Sequence, residues 1–248
     1  MLVILSFFLL HWYSSAFAQS FYQHRFAAHR MFDMSPFWER FFYLFTWLTQ
    51  GSSFLHPRSY ALLHLEHHTH SDTEKDPHSP HVFRDIISMM WNTAKVYSEI
   101  DTGKRSISES FARKCPDWPA LDKFANHWLT RLGFCVGYTA IYVYFAPHPA
   151  WFLLLPIHFL MGPVHGAFVN WFGHKYGYAN YENGDHSKNT FFWDIFFLGE
   201  CFQNNHHRFP NSANFARRWF EVDVLYPVLK LMDRMRIISL RSDKSYGK

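Results

Sequence analysis

Charge is missing from long stretches of this chain, and those gaps predict its main elements. Positions 1–24 hold no Asp, Glu, Lys or Arg, and none occurs between Arg131 and Lys175. A proline-bounded dip at 146–150 divides the second gap into halves. Each half is about 20 residues, enough for a helix to cross a hydrocarbon core of roughly 30 Å. The pattern predicts an all-α, polytopic membrane protein with a helical cytosolic cap. Its spanning helices lie near 2–23, 130–146 and 150–172, the last two forming a hairpin with a minimal turn. A further uncharged run at 41–57 is marginal in length and interrupted by Gly51, Ser52 and Ser53, which predicts a buried or re-entrant helix.

Basic residues orient this arrangement. All 24 lysines and arginines lie outside the uncharged stretches. By the positive-inside rule, 25–129 and 174–248 face the cytoplasm, while the N-terminus and the hairpin turn face out. The expected location is the cell (inner) membrane, with a single unit covering 1–248. Ala16-Phe-Ala18 resembles a signal-peptidase site, but no positive residue precedes Arg25, as a secretory signal requires. Aromatics form 21% of the chain while mean hydropathy is −0.20, so the membrane portion must be compact. The net charge of +4 then marks a cytoplasmic face rather than a nucleic-acid site, and no nucleic-acid motif is present. Cys115, Cys135 and Cys201 show no CxxC spacing and read as reduced structural thiols.

The polar segments carry clustered histidines: His24 and His29; His64, His67 and His68; His206 and His207, headed by Gln203; and His174, one turn after Asn170. Clustered imidazoles suit first-row transition metals, and eight exceed what one ion binds. On a helix His64, His67 and His68 share a face, as do Gln203, His206 and His207. His24 and His29 stand about 140° apart on an ideal α-helix, which predicts a helix end approaching two metals rather than one. Asp72 and Asp76 lie in the loop 69–81 with His70, His78 and His81, and read as carboxylates that orient ligands or fix the loop. His158 and His165, inside a span, read as interhelical hydrogen-bonding groups. His11, His56, His127, His148 and His186 read as structural or exposed.

These elements resemble the membrane fatty acid desaturase family, within it the acyl-CoA Δ9 (stearoyl-CoA-like) branch and its bacterial relatives. His24-Arg-Phe-Ala-Ala-His29 is similar to the HxxxxH box, and His64-Leu-Glu-His67-His68 with its Asp/Pro loop to HxxHH. Asn170-Trp-Phe-Gly-His174 resembles the branch's NxxxH element. Gly199-Glu-Cys-Phe-Gln203-Asn-Asn-His206-His207-Arg-Phe-Pro resembles its last box, GExxHxxHHxFP. The resemblance covers roughly 20–225, and four elements in order are specific.

It implies a membrane-embedded non-haem enzyme with two iron ions that inserts a cis double bond into a fatty acyl chain with O2. The ligand role passes to His24, His29, His64, His67, His68, His174, His206 and His207. Asn170 would act through a water, and Asp72, Asp76 and Glu200 would support the ligands. Gln203 departs from the branch, and its amide oxygen is a weaker donor than imidazole. Front-end desaturases also carry QxxHH, so the change does not imply a dead enzyme. One helix precedes the first box where the branch usually has two.

The acyl chain could ride on CoA, acyl-carrier protein or a lipid. Without a GxGxxG, electrons must come from a separate ferredoxin or cytochrome b5-like donor. Arg25, Arg30, Lys175, Arg208, Arg217 and Arg218 could dock it, or a headgroup. A lipid or carotenoid hydroxylase is the alternative reading. A membrane metal transporter or sensor fits less well, because its ligands should line a path through the membrane.

Overall fold

The structure is a computed structural model that describes residues 1–105, 107 and 115–241. The remaining positions of the expected cytosolic segments lie outside the described residues. Helix α1 (Leu2–Phe17) runs without a break into a π-helical segment, Ala18–Ala28. Together, Leu2–Ala28 is the one helix among the described residues that is by itself long and apolar enough to cross a membrane. It extends past the expected end near 23 because Gln23, His24 and Arg25 are buried by the rest of the protein.

The second uncharged block forms α6 (Trp128–Phe145), a 3-10 turn (Pro149–Leu154), α7 (Leu155–Phe159) and α8 (Met161–Gly173). The stretch expected as one span near 150–172 is broken: Pro149–Phe159 and Met161–Gly173 meet at 75°. Pro163 explains the break, since in a straight helix its ring would strike the carbonyl four residues back, at Phe159. That freed carbonyl accepts the Ser52 hydroxyl (3.0 Å), and the Gly162 N–H donates to Ser53 Oγ (3.1 Å). Arg131 ties α6 to the same turn through the carbonyls of Ser52 and Phe54. Within this bundle His158 meets His11 Nδ1 (2.6 Å) and the Tyr142 hydroxyl (2.9 Å), joining α1, α6 and α7.

Before α6 come α2 (Pro36–Gln50), α3 (Pro57–His70), α4 (Ile86–Asp101) and α5 (Pro119–Asn126). The run expected as a buried or re-entrant helix is two-faced. Helix α2 starts at Pro36, capped by Ser35, exposes Phe37, Phe41, Leu44 and Leu48 along one stripe, and buries Phe42, Tyr43 and Thr46. After α8 come α9 (Gln203–Arg208) and α10 (Tyr226–Arg234).

The fold is mostly helical rather than strictly all-α. Strands β1 (Phe32–Met34) and β4 (Ile238–Leu240) pair antiparallel, and β2 (Trp193–Asp194) and β3 (Val222–Asp223) pair parallel. An aromatic core containing Phe21, Phe26, Phe42, Phe202 and Phe215 fixes the π-helical segment. On its other side Ala27 and Ala28 pack on Ala61, Leu62 and Leu63 of α3. Small side chains here let the two histidine-bearing helices approach closely.

Candidate metal centre

The π-helical geometry decides where the first histidine pair points. The His29 N–H donates to the His24 carbonyl (3.2 Å), five residues back. Five-residue hydrogen bonding defines a π turn, and it brings positions five apart to one side. His24 and His29 therefore enter the same group, correcting the expectation that they would reach two metals. With His64, His68 and His206 they form a set whose ligand atoms all lie within 4.8 Å of one another. A second set under the same limit comprises His67, His174 and His207. The shared face expected on α3 is thus divided, with His64 and His68 turned one way and His67 the other. Helix α9 divides in the same manner, between His206 and His207.

Distances within the sets have the scale of a coordination sphere. His24 and His206 Nε2 are 3.0 Å apart, His29 and His64 Nε2 2.8 Å, and His68 and His206 Nε2 2.9 Å. Two nitrogens each about 2.1 Å from one ion, at right angles, stand about 3.0 Å apart. In the second set His67 and His207 Nε2 are 3.3 Å apart.

Carboxylates hold the opposite ring nitrogens. Glu200 meets His24 Nδ1, Asp76 meets His67 Nδ1 (2.9 Å), Asp72 meets His174 Nδ1 (2.8 Å), and Asp185 meets His207 Nδ1 (2.6 Å). A proton kept on Nδ1 leaves the Nε2 lone pair for a metal. Asp185 escaped the sequence reading: it lies 22 residues before His207, in Asn183-Gly-Asp-His186, and no local spacing connects them. Burial first, then neighbouring imidazoles, hold His29, His64, His68 and His206 well below the ordinary histidine range, so these rings are neutral near pH 7. Burial also pulls on His174, but the Asp72 hydrogen bond and charge outweigh it and raise its pKa.

Gln203 opens α9 with its side chain buried. Its amide N–H donates to the Glu200 carbonyl (2.6 Å). Its stem fills the space beside Gly173, where a Cβ would lie 2.5 Å from Gln203 Cγ. Gln203, Asn170, His64 and Glu200 face a cavity of about 690 Å³. Its other walls are mostly apolar, including Ala16, Leu63, Met90, Val169 and Phe197. Arg25 has no access to a docking partner. It is fully buried, bonded to Glu200 (2.8 Å) and Asp223 (2.9 Å), with its guanidinium 3.8 Å above the Phe215 ring.

Comparison with known proteins shows the family. The fatty acid desaturase family matches residues 1–241. The sn-1 stearoyl-lipid 9-desaturase of Anabaena variabilis is 27% identical over 90% of this chain and 78% of its own length. Delta-9 acyl-lipid desaturase 1 of Arabidopsis thaliana is 25% identical over 89% of this chain and 68% of its own. The icosanoyl-CoA 5-desaturase of Limnanthes douglasii is 28% identical over 92% of this chain and 62% of its own. The chain belongs to the fatty acid desaturase family and is an oxidoreductase that desaturates fatty acyl chains.

Proposed function

We propose that the two histidine sets hold two non-haem iron ions beside a membrane, and that the acyl chain lies in the cavity next to them. The donor chemistry fits: imidazole suits iron among the first-row metals, and burial keeps most of these rings unprotonated. His174 Nε2 is buried without a hydrogen-bond partner among the described residues, while its Nδ1 is held by Asp72, as a metal ligand requires. His24, His29, His64, His68 and His206 would hold one ion, and His67, His174 and His207 the other. Asn170 and Gln203 stand where a water or an amide oxygen could reach them.

Iron at this site supplies O2 activation: with two external electrons and two protons, O2 and two chain hydrogens become two waters, and a C–C single bond becomes a cis C=C bond. The protein's own residues bind and orient. Apolar walls take the acyl chain at about 0.8 kcal/mol per methylene removed from water. Fixed depth in the cavity selects which methylenes lie beside the histidines. Glu200, Asp72, Asp76 and Asp185 keep protons on Nδ1 atoms. Electrons come from a separate ferredoxin or cytochrome b5-like donor. Leu2–Ala28, with α6 and the bent α7–α8 pair, anchors the enzyme in the inner membrane, and the histidines open to the cytoplasm. The carrier of the acyl chain is CoA, acyl-carrier protein or a glycerolipid.

The two converging histidine sets carry this reading. Its test is expression in a bacterial host, with fatty acid profiling of wild type and His206→Ala and iron analysis of both. A new acyl species two mass units lighter, made by the wild type alone, is expected. A species sixteen units heavier would make the enzyme a hydroxylase, and iron-free wild type would overturn the metal assignment.

A further inference from the structure

The two sets are unequal: five imidazoles converge in one and three in the other. The smaller set is nevertheless the better supported, because Asp76, Asp72 and Asp185 each hold one of its three histidines. Gln203 adds no imidazole to it, and its amide N–H donates to the Glu200 carbonyl.

An uncommitted imidazole lies alongside. His78 follows Asp76 and Pro77 in the loop that also supplies Asp72, and its backbone N–H is pinned to Asp76 Oδ1 (3.0 Å). Its ring is 3% exposed, and its centroid is 4.4 Å from that of His67. Ligand atoms of His67, Asp76 and His78 lie within 4.8 Å of one another. Neither ring nitrogen of His78 has a hydrogen-bond partner among the described residues. More than about 90% of buried polar groups are paired, and an unpaired one costs about 1–3 kcal/mol. A bound ion removes that cost.

We propose that His78 is the fourth protein nitrogen on the ion held by His67, His174 and His207, an inference that rests on the metal assignment above. His67 belongs to the smaller set and also to the group it forms with Asp76 and His78, so the ligation requires the His78 ring to turn past His67 toward His174 and His207 when the ion enters. With no partner on either nitrogen, that swing breaks no hydrogen bond. His78 also lines the acyl cavity, so the added ligand sits on the side from which substrate approaches.

The test uses the full chain in detergent, loaded with ⁵⁷Fe(II), with iron counting and Mössbauer spectra for wild type, His78→Ala and His78→Gln. Wild type is expected to bind two irons. Both variants should bind one of them at least tenfold more weakly and change one of two Mössbauer signals, and added imidazole should restore that iron to His78→Ala. Two irons at wild-type affinity with unchanged spectra in either folded variant would overturn the proposal. So would iron loss that imidazole does not reverse, which marks His78 as structural. If wild type itself binds no iron, the metal assignment fails instead.

Discussion

Asp72→Asn isolates the charge beside His174, one of the proposed metal ligands. Asp72 Oδ2 accepts from His174 Nδ1 (2.8 Å) and from the His186 backbone N–H (2.8 Å), while Oδ1 accepts from the Ser79 hydroxyl (2.6 Å). With the asparagine oxygen in the Oδ2 position, its NH2 faces Ser79, whose hydroxyl can accept. The backbone φ of 58° also suits Asn. Geometry is kept and the charge is lost. An orienting partner of a metal-bound histidine contributes about 10–100-fold in affinity, or about 1.4–2.8 kcal/mol. Because the asparagine still orients the ring, the low end applies: about tenfold weaker binding at one iron. Asp72→Ala strands the His174 and His186 donors as well, and should lower fold stability by a further ~1–3 kcal/mol. Anaerobic Fe(II) titration, paired with thermal unfolding of the metal-free proteins, separates the two effects. Wild-type affinity in Asp72→Asn, or a melting loss equal to that of Asp72→Ala, would refute the reasoning.

Three more outcomes follow from other parts of the molecule. In the metal-free protein the pKa values of His29, His64, His68 and His206 are depressed below 6.5, so below that pH the unfolded chain binds more protons than the folded one. Stability should then fall as the pH drops from 6.5, with His174, whose pKa is raised, and Asp194, pushed up to about 6 by burial, working the other way; a Tm that does not fall on acidification would contradict this. Gly166 lines the cavity, and an added Cβ would meet only Gln19, at 3.8 Å. Gly166→Leu should therefore fold, retain iron and shift products toward shorter chains, each displaced methylene forfeiting about 0.8 kcal/mol; an unchanged chain-length profile sinks the cavity assignment. Arg25→Met leaves Glu200 and Asp223 buried without their cation and should cost about 3–5 kcal/mol of stability. A docking role would instead preserve Tm and raise only the KM for the electron donor.

The first uncharged gap was legible because a helix of spanning length needs only an apolar run with little charge, and Leu2–Ala28, with Arg25 its one Lys or Arg and no acidic residue, meets that test. The histidine clusters were equally visible, since ligand spacing on one helix is local. What failed was arithmetic that assumed α-helices. His24 and His29 diverge at 100° per residue, yet the π-helical hydrogen bond between them reverses that result. The bend at Leu160 was missed because the stretch around it is uncharged throughout, and its cause, Pro163 supported by Ser52 and Ser53, depends on a contact more than a hundred residues away in sequence. Asp185 was missed because its contact with His207, 22 residues on, is tertiary and follows from no local spacing. Arg25 looked exposed beside a histidine box, and only the tertiary positions of Glu200 and Asp223 show why a guanidinium is buried there.

The division of α3 and α9 between the two sets has a mechanical consequence. His67 and His68 are sequence neighbours, about 100° apart around the helix, and so are His206 and His207. Each helix thus supplies both sets, and the separation of the two sets is fixed by backbone hydrogen bonding rather than by side-chain reach. The rings also touch across the division, with His68 and His207 centroids 4.5 Å apart. Emptying one set leaves the other's ligands attached to a helix whose neighbouring residue has lost its metal. With iron in both sets as proposed, this interleaving would hold the two ions at a constant separation without a flexible loop between them. Loss of either ion should therefore abolish desaturation rather than halve it.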